Sequence, residues 1–542
     1  MSTTSPTRPA PPPDTSDVVT DPKRRRLVLA AVLFALTAVV ASVSGLNVAL
    51  GQLAADLGAG QGDLLWVVNG YTIALAALLL PIGAIGDRWG RRPVLLGGLG
   101  VFLAAAAAST LATTVGQLVV LRIVGGVGAA MIMPVTLSVI TSTFPEDERD
   151  RAVGMWAGFA GAGGILGLVA SSIVVDSFTW PWVFAAPLLL GSVALALSVL
   201  YVPASREHTE GRFDLVGSIL SAVAVGTLVM GIHEGPEAGW TEPITVVSLA
   251  LALATGAAFA WWELRQDHPL LQLRLFRNRT LAGGSVGLLG IFGLLGALFL
   301  VLIQFLQAVL GYSAVGAAVS LLPIAAVMMP LSSVAPRIAR RVGLRTMIGG
   351  GALAIAGGMA LMGVMASTDG GYLTVAPGML LVAIGLGLAM TSGTTAITGS
   401  LPVEDQGVAS ALNDTVRELG TAIGVALIGS VLSATYSSSV ADATVGLPAE
   451  AAHTVEEGIG GALAVSGPMG SQGEGLLDAA RGAFVDGWTA SMWLSAGLAL
   501  AIAAFAFAWM PGRKAEGQEL VLETDGDLDD ELDQLVAGVL VD

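Results

Sequence analysis

Gly83-Ala-Ile-Gly-Asp-Arg-Trp-Gly-Arg-Arg-Pro93 places Asp87, Arg88, Arg91 and Arg92 in a short turn between two long apolar runs. Each of these charges costs roughly 2.5 to 3.5 kcal/mol at the centre of a membrane helix. The two flanking runs must therefore cross a bilayer and meet here, outside the hydrocarbon. Gly83, Gly86 and Gly90 allow the two helix ends to come close.

Composition generalises this reading to the whole chain. Of 542 residues, 54% are hydrophobic and 12% charged, and the mean hydropathy is +0.78. That is too little polar surface for a soluble globule and describes a multi-pass, all-α membrane protein. The 71 glycines suit close helix contact in lipid, and the absence of cysteine excludes disulfides and thiolate metal sites. The net charge of −16 arises mainly from loops and tails and says nothing about substrate.

Apolar windows of spanning length run from about residue 27 to 50 and then at 65–86, 93–113, 117–140, 152–175, 181–203, 214–233, 243–263, 280–309, 314–335, 346–366, 373–396, 407–433 and 488–510, about fourteen spans. The loops near 87–92, 149–151, 206–212, 265–279, 337–345 and 513–514 hold nearly all the Arg and Lys, while the alternate loops hold essentially only Arg481. The positive-inside rule then places both termini in the cytoplasm, and the membrane expected for the chain is the plasma membrane. Lys23-Arg-Arg-Arg26 precedes a first run too long for a signal peptide, so that run reads as an uncleaved helix.

The arrangement G-x-x-G-D-R-x-G-R-R-P resembles the signature loop between the second and third helices of the major facilitator superfamily. Pro336-Arg-Ile-Ala-Arg-Arg-Val-Gly-Leu-Arg345 looks like a degraded second copy one bundle later. The resemblance implies two six-helix bundles related by an axis along the membrane normal, and two extra helices between them are similar to the fourteen-helix branch of the drug:proton antiporters. The expected organisation is a disordered cytoplasmic tail (1–26), a first bundle (27–205), two inserted helices (206–268), a second bundle (269–511) with an external loop (433–487), and an acidic cytoplasmic tail (512–542). Both the external loop and the acidic tail read as solvated segments, the alternatives being a short amphipathic piece in the loop and one or two helical turns marked by Leu528, Leu532, Leu535 and Val536 in the tail.

Several polar residues interrupt apolar spans and are candidates for chemistry. Arg122, in Leu121-Arg-Ile-Val-Gly-Gly-Val-Gly-Ala-Ala130, matches a family pattern that implies a buried arginine linked to proton coupling; the alternative is an arginine that snorkels or binds a neighbouring carbonyl. Ser42, in Ser42-Val-Ser-Gly-Leu-Asn-Val-Ala-Leu-Gly51, stands where the resembled branch has an aspartate, and a hydroxyl cannot exchange protons near neutral pH. Trp66, Asn69 and Tyr71 open the second span in a way that resembles the family's cavity wall, with interhelical hydrogen bonding as the other reading. Gly163, Gly167, Ser171 and Ser172 keep one face of the fifth span small, but Leu168 replaces the branch's proline, which leaves helix packing as an equal explanation.

Asn413-Asp-Thr-Val-Arg-Glu-Leu-Gly420 resembles the N-D-T-x-R-E-L-G run of one bacterial group in this branch. Asp414, Arg417 and Glu418 project to one helical face, which cannot face lipid. Either this face sits in water near the helix end, or it lines a cavity as carboxylates held by an arginine. In the cavity case burial disfavours ionisation and Arg417 favours it, so the group could titrate near cellular pH. Asn413 joins the cavity candidates, as do Gln304 and Gln307 of the ninth span, and Glu234 beside His233 is a further coupling candidate, or a solvated loop acid. No phosphate-cradling run and no basic-aromatic pattern for nucleic acid is present, so no cofactor, metal or nucleic acid is expected. The reading is a monomeric, proton-coupled exporter of drug-like or amphiphilic small molecules and not an enzyme. The alternatives are an exporter of a lipid or natural product with different or weak coupling, and a non-transporting membrane sensor.

Overall fold

The computed structural model describes residues 19–204, 213–266, 268–401 and 405–512. The tails at 1–18 and 513–542 and the whole of the expected 206–212 arginine loop lie outside the described residues. Among the described residues, fourteen helices are long and apolar enough to span a membrane, in agreement with the count from hydropathy.

The first six spans are α1 (Pro22–Leu57), α2 (Gln61–Trp89), α3 (Arg91–Ser109), α4 (Val115–Thr143), α5 (Glu146–Ser177) and α6 (Ala185–Tyr201), packed chiefly on one another. The first helix starts five residues earlier than hydropathy suggests, because Asp21 caps it by accepting the Lys23 N–H at 2.9 Å. Basic residues 23–26 therefore belong to the helix and not to the tail.

An inserted hairpin follows, α7 (Leu215–Ala238) and α8 (Pro243–Glu263). Helix α7 rests on α2, while α8 packs almost entirely on α7. The indole N–H of Trp262 donates to Asp214 at 3.0 Å and closes the base of the hairpin.

The second bundle comprises α9 (Arg279–Gln304), continued by a π-turn (Phe305–Val309); α10 (Ala314–Ser320) and α11 (Leu322–Val342), together one span; α12 (Leu344–Met365); α13 (Ala376–Thr398); α14 (Gln406–Val440); short helices α15 (Ala449–Glu457) and α16 (Ile459–Ser466); and α17 (Ser471–Trp509). The segment expected as a solvated loop is instead a helical cap with its own buried side chains, Val455, Ile459 and Ala462. It is tied down where the Tyr436 hydroxyl donates to the Val455 carbonyl at 3.1 Å and the Arg481 Nε–H to the Ala308 carbonyl at 3.2 Å. Short-range composition, rich in Gly and Ser, does not reveal this docking.

The charged motif is no loop. Helix α2 runs through Trp89 and α3 begins at Arg91, with Gly90 alone making the turn at φ 104°. A side chain there would be strained, so glycine is required. Gly343 makes the same one-residue turn between α11 and α12 at φ 84°. The degraded second copy has thus kept the backbone of the first.

Candidate functional site

At the arginine-rich end, where α2 meets α3, Asp87 is buried and its carboxylate faces the first turn of α14. It accepts the Gly407 N–H at 2.9 Å and the Val408 N–H at 3.1 Å, and Arg91 donates to it at 3.3 Å. These N–H groups have no partner within their own helix, and an anion there also meets the positive end of the helix dipole. Gly407 and Gly83 make the approach possible, since a Cβ on Gly407 would fall on the Asp87 carboxylate and one on Gly83 would strike Ala411 and the Gly407 carbonyl. Gly86 is less tightly packed, against Val135. Arg92 donates to the Val199 carbonyl at 2.6 Å and so braces α3 on α6, while Arg88 is partly exposed.

The second bundle answers with Arg340, which pairs with Asp150 at the start of α5 at 2.7 Å. Below this pair Gly154 lies against the Ser332 carbonyl and Gly158 against Met329. Helices α5 and α11 thus close one side of the seam between the halves as α2 and α14 close the other.

Deeper in the seam, Asp414 is fully buried. Its Oδ1 accepts from Arg417 at 3.0 Å and from Asn413 at 3.2 Å, and its Oδ2 has no hydrogen-bond partner among the described residues. Of the two placements open from sequence, burial in the interior is the one observed. The Arg417 guanidinium lies 4.5 Å from the Phe292 ring centre on α9 and 5.2 Å from that of Trp156 on α5. It therefore touches both halves through aromatic faces. Trp156 is itself oriented by its N–H donated to Thr136 at 3.0 Å. Glu418, one residue further, is partly exposed and forms no ion pair among the described residues. The two carboxylates are therefore unequal, one locked to Arg417 and one free.

A second polar cluster lies inside the first bundle. Arg122 does not snorkel: it is buried, donates to Ser42 at 2.9 Å and to the Val67 carbonyl at 3.2 Å, and sits 4.2 Å from the centre of the Tyr71 ring. Its Nη2 has no hydrogen-bond partner among the described residues. Tyr71 is fully buried and donates to the Val39 carbonyl at 3.3 Å, so in this conformer it braces helices and lines, with Ser42 and Arg122, only a void of about 10 Å³. Trp66 is exposed and Asn69 partly so.

The remaining candidates are scattered. Gln304 is partly exposed and Gln307 exposed on the π-turn; Glu234 is partly exposed near the far end of α7 and is joined to neither cluster by a hydrogen bond among the described residues. Gly167 and Ser171 pack tightly on Ala41 and Gly45 of α1, Gly163 is in ordinary contact with Val40, and Ser172 donates to the Leu168 carbonyl at 2.8 Å. Their observed contacts are those of helix packing. Sequence reasoning missed Trp156, Phe292, Asp150 and Gly407, of which only Asp150, an acid between Arg149 and Arg151, carried a local signal.

Comparison with known proteins agrees with this architecture. Residues 32–425 match the family model described as Major Facilitator Superfamily. The chain is 32% identical to the Multidrug resistance protein Stp of Mycobacterium tuberculosis over 73% of each chain. It is also 32% identical to the Multidrug efflux pump LfrA of Mycolicibacterium smegmatis, over 89% of this chain and 96% of that one. Among solved structures, the human organic anion transporter MFSD10 superposes with a TM-score of 0.58 at 14% identity, covering 90% of this chain and 100% of that one, a likeness of fold. The sequence motif, the one-glycine turns of both halves and these matches converge: the chain belongs to the Major Facilitator Superfamily, among its small-molecule transporters of the multidrug-resistance type.

Proposed function

We propose that the protein exports drug-like or amphiphilic small molecules across the plasma membrane in exchange for protons, as a monomer, with its arginine-rich end and both termini in the cytoplasm. The arginine asymmetry supports the orientation. The expected division into two bundles, an inserted pair and two tails supports alternating access by rocking of the halves. The matched efflux proteins support the substrate class.

The observation that carries the coupling is Asp414, a buried carboxylate bonded to an arginine that touches aromatic rings of both halves. When ionised, Asp414 holds Arg417 by a charge-assisted hydrogen bond. Protonation weakens that bond, freeing the guanidinium to shift between Trp156 and Phe292 and so to alter the seam. Glu418, partly exposed on the same face, relays the proton to water or meets a basic substrate. The test is transport by the purified protein in proteoliposomes under an imposed pH gradient, with cationic, neutral and lipidic compounds.

A second reading, export of a lipid or natural product with weak coupling, is favoured by Ser42. Where the resembled branch has an acid, Arg122 meets a hydroxyl, and a cationic substrate loses a counter-charge. A lipidic substrate moving without a pH gradient would select this reading.

A further inference from the structure

Two adjoining cavities flank the closed seam at the arginine-rich end. The larger, about 360 Å³, lies between the starts of α1 and α5 and is lined by Arg25, Arg26 and Arg151 against one acid, Glu148. The smaller, about 120 Å³, shares Glu148 and Arg151 and continues onto the end of α11 at Arg337 and Arg340. Together they run from the first bundle across to the second.

The arginines divide into two sets. Arg25 is bonded to Glu148 at 2.8 Å and Arg340 to Asp150 at 2.7 Å. Arg26, Arg151 and Arg337 are exposed and make no hydrogen bond or ion pair among the described residues, although each lines a cavity. Positive charge on these walls exceeds what their own acids neutralise.

The larger cavity is also amphipathic along its depth. Leu29 lies three residues beyond Arg26 on α1 and Met155 four beyond Arg151 on α5, so both sit about one turn, roughly 5 to 6 Å, below the arginines along their helices. Buried Phe144 and Ala152 complete this apolar part. Cations at headgroup level above an apolar slot match a phospholipid, whose phosphate pairs with guanidinium groups while a chain lies on hydrocarbon. A soluble anion would have no use for the apolar part.

We propose that these cavities bind the phosphodiester headgroup of an anionic phospholipid, with an acyl chain along Leu29 and Met155. Because Arg151 and Arg337 lie on different halves, the bound lipid favours the conformer closed at this end. Neither claim depends on which small molecule is exported.

The experiment uses the full chain in nanodiscs of phosphatidylcholine, with or without phosphatidylglycerol. The lipid retained by the protein is read by native mass spectrometry, and closure by maleimide labelling of an Ala84→Cys reporter, which lies on the α2–α14 side of the seam, lines neither cavity and is the one thiol in a chain without native cysteine. Phosphatidylglycerol is expected to be retained and to slow labelling. Arg26→Gln with Arg151→Gln should weaken retention on the order of thirtyfold and abolish the slowing, whereas lysine at both positions should preserve most of it. Equal retention by wild type and the glutamine variant would overturn the proposal. So would equal protection by inorganic phosphate, which would mark a soluble-anion site. Protection in phosphatidylcholine alone that vanishes on deleting residues 513–542 would assign the cavities to the acidic tail instead.

Discussion

Asp87 and Arg340 occupy the same position in the two halves, three residues before a glycine of positive φ, and each reaches across the seam to the other half. Asp87 binds the first N–H groups of α14, and Arg340 binds Asp150 at the start of α5. The two latches differ in strength. Asp87 is buried and its charge meets a helix terminus, whereas the Arg340–Asp150 pair is exposed and is worth little on its own.

Asp87→Asn should therefore insert normally and transport poorly. Losing the charge at the helix terminus removes about 1 to 2 kcal/mol from the closed conformer, a shift of roughly five- to thirtyfold in its population. Labelling of Ala84→Cys should rise accordingly, and unchanged labelling and transport would contradict this role. Arg340→Gln should raise labelling by less than about fivefold.

Gly154→Val should hold the same end open for a steric reason, since a Cβ there strikes the Ser332 carbonyl on the opposite half. Backbone cannot yield as a side-chain tip can. Ala84→Cys labelling should be fast and insensitive to substrate; wild-type labelling would show that the seam has slack.

These contacts show where sequence reading reaches and where it stops. Span count and the Gly83–Pro93 motif were legible because hydropathy and charge are local properties. That Asp414 and Arg417 would be interior was one of two open choices, since the helical face they share does not say how deep it lies. The acceptor role of Asp87 was not legible, because its partners are backbone N–H groups 320 and 321 residues away, and backbone donors carry no sequence signature. Trp156 read as one more apolar residue. The cap at 441–470 was missed because its order comes from tertiary bonds to Val455 and Ala308 and not from local propensity.

A topology test follows from the arginine asymmetry. Single cysteines replacing His268 and Gly470 should label from opposite faces, cytoplasmic and external respectively. Labelling from one face would require a different span count.

Arg417→Ala should be harsher than either carboxylate neutralisation. It leaves Asp414 buried without its cation, which costs about 3 to 5 kcal/mol for an ionised group, so the variant survives only with a neutral carboxyl there. Thermal unfolding in detergent should show a marked loss of stability for Arg417→Ala, largely recovered in the double variant Arg417→Ala with Asp414→Asn. A single variant as stable as wild type would mean that the pair holds nothing together.

The most direct test of coupling is gradient-driven transport in proteoliposomes by wild type, Asp414→Asn and Glu418→Gln, each also assayed for downhill exchange without a gradient. A neutral amide mimics the protonated carboxyl but cannot release a proton. The account predicts that Asp414→Asn loses accumulation driven by the pH gradient while downhill exchange persists. Accumulation at the wild-type level in both variants would place coupling outside this cluster and contradict it.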